Sequence, residues 1–500
     1  MKIINTISKF ILGLKTQDYS KQNILKYQEK FLMYLINNNK ETIYGGKYNF
    51  SRIKNIKDFQ KQVPIVQYND IEPYITRCLQ GEQNILTREK IELFARTSGT
   101  TPGQIKYIPT TMSALKDNHF AGGEEVLKQY IKTYPESNIF HGKNLSLGGG
   151  FFPNPHAQKE NIGYISSILQ KHAPIRAKAK SAIPDTYIQI NNREEKIYKI
   201  IQYSKSKHIS TIGGLPNWIL DFFEQACKYC NTKSIDAIRP SLECIFVGGT
   251  NYRPYKKQLE AICNKPIVIW EVYNASEGFI ATQADIEQDD MLLLAQHGIF
   301  FEYIDMETLH TDNQKIYTLA EVQINKNYAL VITTLAGLYR YIIGDTVKFT
   351  SIDPYKIKIT GRTKTYIAAF GENVLVEHSD AAILEACSKT KSSITEYTVA
   401  PIFFNDQKGM GTHERYIEFK QKPKDMRAFT IELDNAMKIA NNYYDRRRQN
   451  NTIIDMPIVK PLPKGTFHKR LKSKNKVGHQ NKIPRLSNSR DFVEELQKTL

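Results

Sequence analysis

Between residues 91 and 362 the sequence repeatedly sets a short apolar run against a glycine-bearing turn. IELFA (91–95) leads into RTSGTTPGQ (96–104), CIFVGG (244–249) ends in paired glycines, and PIVIWEVYN (266–274) runs into SEG. Helix-like stretches stand between these runs, among them residues 113–132 and a segment starting near Pro216. Strand-length runs separated by helices predict an α/β fold in which mixed β-sheets are flanked by helices. IKYIPTT (105–111), GIFFEYI, ALVITT and TVKFT add further strands. Residues 17–90 read as mostly helical, with apolar spacing in QNILKYQEKFLMYLI and a break at Pro64.

The strand KIKIT ends at GRTK, and a boundary is expected there. The reading is a large domain over residues 1–356, a hinge over 357–364 and a small mobile domain over 365–500. The last segment has its own strands (SITEYTVAPIFF, RYIEFKQ) and a helix (AFTIELDNAMKIANNYYDRR), which predicts a compact α+β unit. A chain of 500 residues accommodates both domains. No apolar run approaches the length needed to cross a bilayer. MKIINTISKFILGLK is interrupted by Asn5, Ser8 and Lys9 and reads as an amphipathic first helix rather than a secretion signal. A cytoplasmic location is expected. The six cysteines are too thinly spread for a disulfide framework, and the lone Cys227/Cys230 pair lacks the second pair a zinc site wants.

The net charge of +18 raises the question of an anionic partner. Much of it gathers late. From Pro457 to Arg490 there is no acidic residue, while Lys464, Lys469, Arg470, Lys472, Lys474, Lys476, Lys482 and Arg485 crowd together. Such a strip suits polyphosphate, a membrane surface, RNA or the phosphates of a nucleotide, and charge alone does not choose.

Four constellations carry chemistry. Thr97, Ser98, Gly99, Thr100, Thr101 and Gly103, followed by Lys106, supply hydroxyls, backbone N–H groups and conformational freedom suited to phosphate oxygens. The Walker pattern is absent, since no G-K-[ST] is present and a strand follows. Tyr273-Asn274-Ala275-Ser276-Glu277-Gly278 places a carboxylate at a strand end, where it can meet Mg²⁺. Gly337-Leu338-Tyr339-Arg340-Tyr341 precedes Gly344-Asp345, whose carboxylate can accept two ribose hydroxyls. Gln480-Asn481-Lys482-Ile483-Pro484-Arg485 lies in the basic strip. Each alone also reads as an ordinary turn or a solvated surface.

Taken in order, RTSGTTPGQIKYIPTT, VGGT, YNASEG, GLYRYIIGD, the GR hinge and QNKIPRL resemble the auxin-responsive (GH-three) family of acyl-acid amido synthetases, within the adenylate-forming superfamily. The resemblance runs through most of the chain and is nearest the bacterial branch. It implies an ATP-dependent ligase that adenylates a carboxylic acid and passes the acyl group to an amine, an amino acid in the family's best-known members. ATP and Mg²⁺ are implied, and nucleic acid is not expected as a partner. Thr97 to Gly103 and Lys106 would hold the phosphates. Gly248, Gly249, Thr250 and Tyr273 would flank the adenine and the acyl group. Ser276 and Glu277 would lie against the α-phosphate and the metal. Asp345 would bind ribose with Arg362 near the hinge, and Lys482 would approach the reacting carboxylate.

The acyl pocket is the least legible part. Trp218, Phe222 and Tyr252 are candidates, with Phe151, Phe152 and Phe223, although aromatic residues at this spacing also make ordinary core. Two rivals stand beside the amide-forming reading. One is thioester formation with coenzyme A through the same adenylate, and the other is a basic nucleic-acid or polyphosphate binder.

Overall fold

The computed structural model describes residues 17–498 except 99–104, 158–160, 191, 250–251, 310, 312, 364–365, 368, 371, 373, 404–410, 449–453 and 474–482. The amphipathic segment expected at the start therefore lies outside the described residues. The chain forms two compact units: residues 1–343 with 348–358, and residues 344–347 with 359–500.

The first unit opens with helices at Lys21–Asn39, Ile43–Lys47, Ile56–Gln62 and Tyr68–Leu79. Its early strands are β1 (Leu93–Ser98), β2 (Ile105–Thr110), β3 (Lys143–Ser146), β4 (Phe151–Phe152) and β5 (Ile162–Gly163). Next come β6 (Ile209–Gly214), β7 (Cys244–Gly248), β8 (Val268–Asn274), β9 (Phe279–Gln283) and β10 (Met291–Leu293). The series continues through β11 (Ile299–Asp305), β12 (Ile316–Thr318), β13 (Asn327–Thr334), β14 (Tyr341–Ile352) and β15 (Tyr355–Arg362).

Among the described residues these make a four-stranded sheet, β2-β1-β5-β4, and an eleven-stranded sheet, β12-β11-β13-β14-β15-β10-β9-β8-β7-β6-β3. One end of the large sheet is parallel, with β3, β6, β7 and β8 running the same way. The β6–β7 crossover contains the Pro216–Tyr229 helix and the β7–β8 crossover the Arg253–Ala261 helix. Proline stands in the first turn of both, where its missing N–H costs nothing. The apolar core here joins Ile212, Ile245 and Val247 of the strands to Ile219, Phe222, Phe223 and Ala226 of the helix. From β8 onward, β8 with β9, β9 with β10, and β11 with both β12 and β13 pair antiparallel.

The first helix docks through one buried amide. Gln28 Nε2 donates to the carbonyls of Ala295 (2.6 Å) and Ile299 (2.7 Å), and its Oε1 accepts from Phe301 N–H at 2.8 Å. Cys227 is buried, Cys230 is partly exposed, and both are free thiols.

The second unit holds the hairpin of β16 (Tyr366–Ile367) and β17 (Val374–Leu375) and a sheet of β18 (Ser393–Ile402), β19 (Thr412–Gln421) and β20 (Ile458–Leu462). The Val376–Lys389 and Met426–Ala440 helices pack against each other. The single helix expected over residues 428–447 is in fact two, Met426–Ala440 and Asn442–Arg448. Asn441 between them is extended, and its Oδ1 accepts from Tyr444 N–H at 2.7 Å, so it caps the second helix instead of continuing the first.

The basic strip also reads differently in place. Arg485 Nη1 donates to both carboxylate oxygens of Asp380 at 2.7 Å, Arg490 pairs with Glu414 at 2.7 Å, and Arg470 is buried against Glu495. These arginines bind the unit internally. Lys460, Lys464, Lys469 and Lys472 are exposed.

Candidate active site

Parallel strands of an α/β sheet leave their carboxyl ends open to ligands. Here β6, β7 and β8 end at Gly214, Gly248 and Asn274. Register places Gly214 across from Val247 and Gly248 across from Val272, so the strand ends share one edge. A side chain at Gly248 would come within 2.8 Å of the Val272 carbonyl, and Gly249 follows at φ +77°. This turn thus needs glycine at both positions. Tyr273 is buried on β8. Thr250 lies outside the described residues.

The chain then closes a tight hairpin. Ala275 N–H donates to the Gly278 carbonyl at 2.9 Å and Gly278 N–H to the Ala275 carbonyl at 3.3 Å. Ser276 and Glu277 are the two residues at its tip, both partly exposed. The helical segment Ala114–Phe120 reaches both legs of this hairpin, through Asn118 on Phe279 and His119 on Asn274. Sequence reasoning missed both residues. The available signal was an Asn-His pair inside an otherwise helical amphipathic run. Burial pushes the His119 imidazole down to about 4, so the ring is neutral at pH 7.

Strands β1 and β2, which flank residues 99–104, pair antiparallel in the smaller sheet. Thr97 pairs with Lys106 and Ser98 with Ile105 across β1 and β2. The strand therefore extends past residue 95, its expected end, and takes in Thr97 and Ser98. Gly99, Thr100, Thr101 and Gly103 lie outside the described residues. Lys106 Nζ sits 5.4 Å from the centre of the Tyr68 ring, and the Tyr68 hydroxyl accepts from Tyr107 N–H at 2.9 Å. Arg96, on β1, lies over the Phe152 ring at 4.1 Å.

The two sheets join through Gly148–Gly150, which carries the chain from β3 to β4. Lys196 Nζ donates to the carbonyls of Gly148 (3.0 Å) and Gly149 (2.7 Å). Burial drops this ammonium to about 8. A side chain at Gly149 would collide with the Tyr164 ring at 1.8 Å, which fixes how that loop can be written.

In the second unit, Gly344 stands within β14 at φ +94° immediately before Asp345, and Arg362 Nε lies 3.1 Å from Asp345 Oδ1. Lys482 lies outside the described residues. Of the acyl candidates, Phe222 and Tyr252 are both buried members of the helix–sheet core, and Trp218 is half-buried.

The arginine in Gly337-Leu338-Tyr339-Arg340-Tyr341 is a structural residue. Arg340 Nε and Nη2 meet the two oxygens of Glu302 at 3.0 and 2.9 Å, and Nη1 donates to the carbonyls of Gln60 (2.8 Å) and Val63 (2.7 Å). Both charged side chains are buried. Tyr339 is buried as well and donates to the Leu86 carbonyl at 3.1 Å.

The GH3 family N-terminal domain matches residues 13–267, its central domain residues 292–362 and its C-terminal domain residues 377–491. The 4-substituted benzoates-glutamate ligase GH3.12 of Arabidopsis thaliana is 22% identical over 520 aligned positions, 89% of either chain. A solved GH3.15 acyl acid amido synthetase superposes with a TM-score of 0.76 at 17% identity, covering 95% of this chain and 93% of that one. A 2-hydroxyisobutyryl-CoA ligase in its postadenylation state shares the fold at TM-score 0.62 and 14% identity, covering 96% and 92%. With its three domains matched in order across most of its length, the chain belongs to the GH3 family.

Proposed function

We propose that this protein is an ATP-dependent acyl-acid amido synthetase. A carboxylate oxygen attacks the α-phosphorus of ATP, giving an acyl adenylate and pyrophosphate. The amine of an amino acid then attacks the acyl carbon, giving the amide and AMP. The observation that carries this reading is the Ser276-Glu277 hairpin tip beside Gly248–Gly249 at the carboxyl edge of parallel strands, in a GH3 chain.

The first step joins an anion to an anion, so it needs charge cancelled and reactants aligned more than it needs an acid or base. Thr97, Ser98 and the glycine-rich turn after them would grip the phosphates with hydroxyls and N–H groups. Lys106 would add positive charge on the neighbouring strand. Gly248 and Gly249 would leave room for the adenine to lie against backbone, and Tyr273 and Thr250 would flank it. Asp345, flanked by Arg362, would accept the ribose hydroxyls. Lys482 would bring positive charge to the reacting carboxylate and α-phosphate.

Among the described residues no three His, Cys, Asp or Glu side chains gather as a metal cage. Glu277 offers a single carboxylate, a donor set that suits a magnesium ion arriving with the nucleotide. When bound there, Mg²⁺ would supply positive charge against the α-phosphate. For the acyl group, Trp218 and Tyr252 are the candidates nearest the site in sequence order, with Phe222 behind them in the core. Among the described residues no helix is long and apolar enough to cross a membrane.

The test is ATP–pyrophosphate exchange with Mg²⁺ across a panel of carboxylic acids, before any acceptor is added. Exchange confined to certain acids is the expected result and identifies the acyl class. Amino acids that then yield amide and AMP establish the second half. Thioester formation on adding coenzyme A instead would replace the amide reading, and absence of ATP binding would remove adenylation altogether.

A further inference from the structure

The tip of a two-residue hairpin is ordinarily free to sway, since little packs against it. The turn carrying Ser276 and Glu277 is different, because both of its legs are held by one helical segment. Asn118 Oδ1 accepts from Phe279 N–H at 2.7 Å, and Nδ2 donates to the Phe279 carbonyl at 3.0 Å and to the His297 carbonyl at 2.6 Å. On the other leg, His119 Nδ1 stands 3.1 Å from Asn274 Oδ1. An amide oxygen accepts only, so the neutral ring keeps its proton on Nδ1.

Three features make this more than incidental packing. The β8/β9 pairing slips between Tyr273 and Asn274, a local irregularity at the start of the hairpin, and the Asn118 amide bonds both backbone groups of Phe279 beside it. A side chain at Gly278 would come 3.1 Å from Asn118 Oδ1 and 2.6 Å from Ile299 Cδ1, so the close approach requires glycine there. Residues Ala114–Phe120 are wound as a π-helix, the rarer form that recurs at functional sites, and this local winding precedes the regular Ala121–Thr133 helix.

We propose that Asn118 and His119 are positioning residues: by pinning both legs of the hairpin they set where Ser276 and the Glu277 carboxylate meet the nucleotide's α-phosphate and its magnesium. The proposal rests on the adenylation reading. It assigns neither residue a contact with substrate. Its content is that their effect passes through Glu277.

Calorimetric titration of the full chain with ATP, with and without Mg²⁺, provides a readout separate from turnover. In the parent protein Mg²⁺ should tighten ATP binding, and Glu277→Gln should abolish that gain. Asn118→Ala should cut the gain about tenfold while leaving Mg²⁺-free affinity within about twofold. The Asn118→Ala/Glu277→Gln double variant should then be no worse than Glu277→Gln alone. Additive losses, or a parallel fall in Mg²⁺-free affinity, would overturn the proposal.

The His119 pair gives an independent arm should Asn118→Ala not fold. Asn at 119 can place an amide N–H near the Nδ1 position, whereas Gln reaches towards Nε2. His119→Gln should therefore lose about fivefold more of the Mg²⁺-dependent gain than His119→Asn, and equal losses count against the proposal. A parent protein that neither binds ATP nor catalyses exchange with any acid would fail the adenylation reading itself. An active parent with additive variants would remove only the positioning role.

Discussion

The turns at Gly337–Tyr341 and Ala275–Gly278 are written alike, each setting glycine and one charged residue close to an aromatic strand, yet they use that charge in opposite ways. Arg340 is turned inward at φ +48° and spent on Glu302 and two carbonyls, tying the end of the Ile56–Gln62 helix to β11. Glu277 sits partly exposed at the tip of a hairpin that its own backbone closes and that Asn118 holds at Phe279. A charge buried with its partner serves the fold. On the proposed reading, the Glu277 charge serves the nucleotide and its magnesium instead.

Breaking the first member of this contrast should have the largest effect. Arg340→Ala strands a buried carboxylate and should cost about 3–5 kcal/mol of unfolding free energy. Replacing Arg340 and Glu302 together by Met and Leu should recover most of it. Denaturant melts measure both, and a stable Arg340→Ala protein lacking only exchange activity would reverse the assignment. At the second member, Glu277→Gln should slow ATP–pyrophosphate exchange by about 10²–10³-fold with an unchanged melting midpoint. A lowered midpoint of the same size would make Glu277 another Arg340.

The brace between the two roles can be read by pH. His119 is held near 4 by burial, against 6.5 in the unfolded chain. The unfolded state therefore takes up a proton first as pH falls, so this group's share of stability is intact above 6.5 and drains away down to about 4. The loss should be about 3 kcal/mol. His119→Asn should flatten that part of the stability–pH curve, and an unaltered curve would mean that the ring titrates normally. The smallest effect expected is at Asp345. Asp345→Ala should weaken ATP binding by about tenfold, while Lys482→Ala should slow exchange and leave ATP affinity nearly unchanged.

Much of this was legible in the chain. The strand–turn pattern located β7, β8 and the Ser276-Glu277 turn, because parallel strands buried on both faces read as apolar runs and stop at glycine. Asn118 and His119 were hidden because their partners lie 161 and 155 residues away, and no spacing within 113–132 singles them out. In the second unit, Thr412–Phe419 is buried on both faces although it carries His413, Glu414, Arg415 and Glu418. Its hydrogen-bond partners come from far along the chain. Glu372 meets His413 at 2.8 Å, Arg490 meets Glu414, and Gly465 and Phe467 donate N–H groups to Glu418. Local hydropathy sees a half-exposed strand there, and only the tertiary fold supplies the partners. The break at Asn441 was missed for a related reason, since its side chain chooses between two helices according to what it meets.

The interleaving of the two units along the chain bears on how such proteins recombine. Residues 344–347 belong to the second unit yet precede a stretch, 348–358, that belongs to the first. A single crossover at 358–359 would exchange nearly all of the second unit but leave Asp345 with the other parent. The resulting chimaera would face one lineage's Asp345 with another's Arg362, although the two are partners 3.1 Å apart in the same unit. Swapping this unit between relatives therefore takes three joints, and lineages that diversified by exchanging it whole would have had to preserve both sides of that pair together.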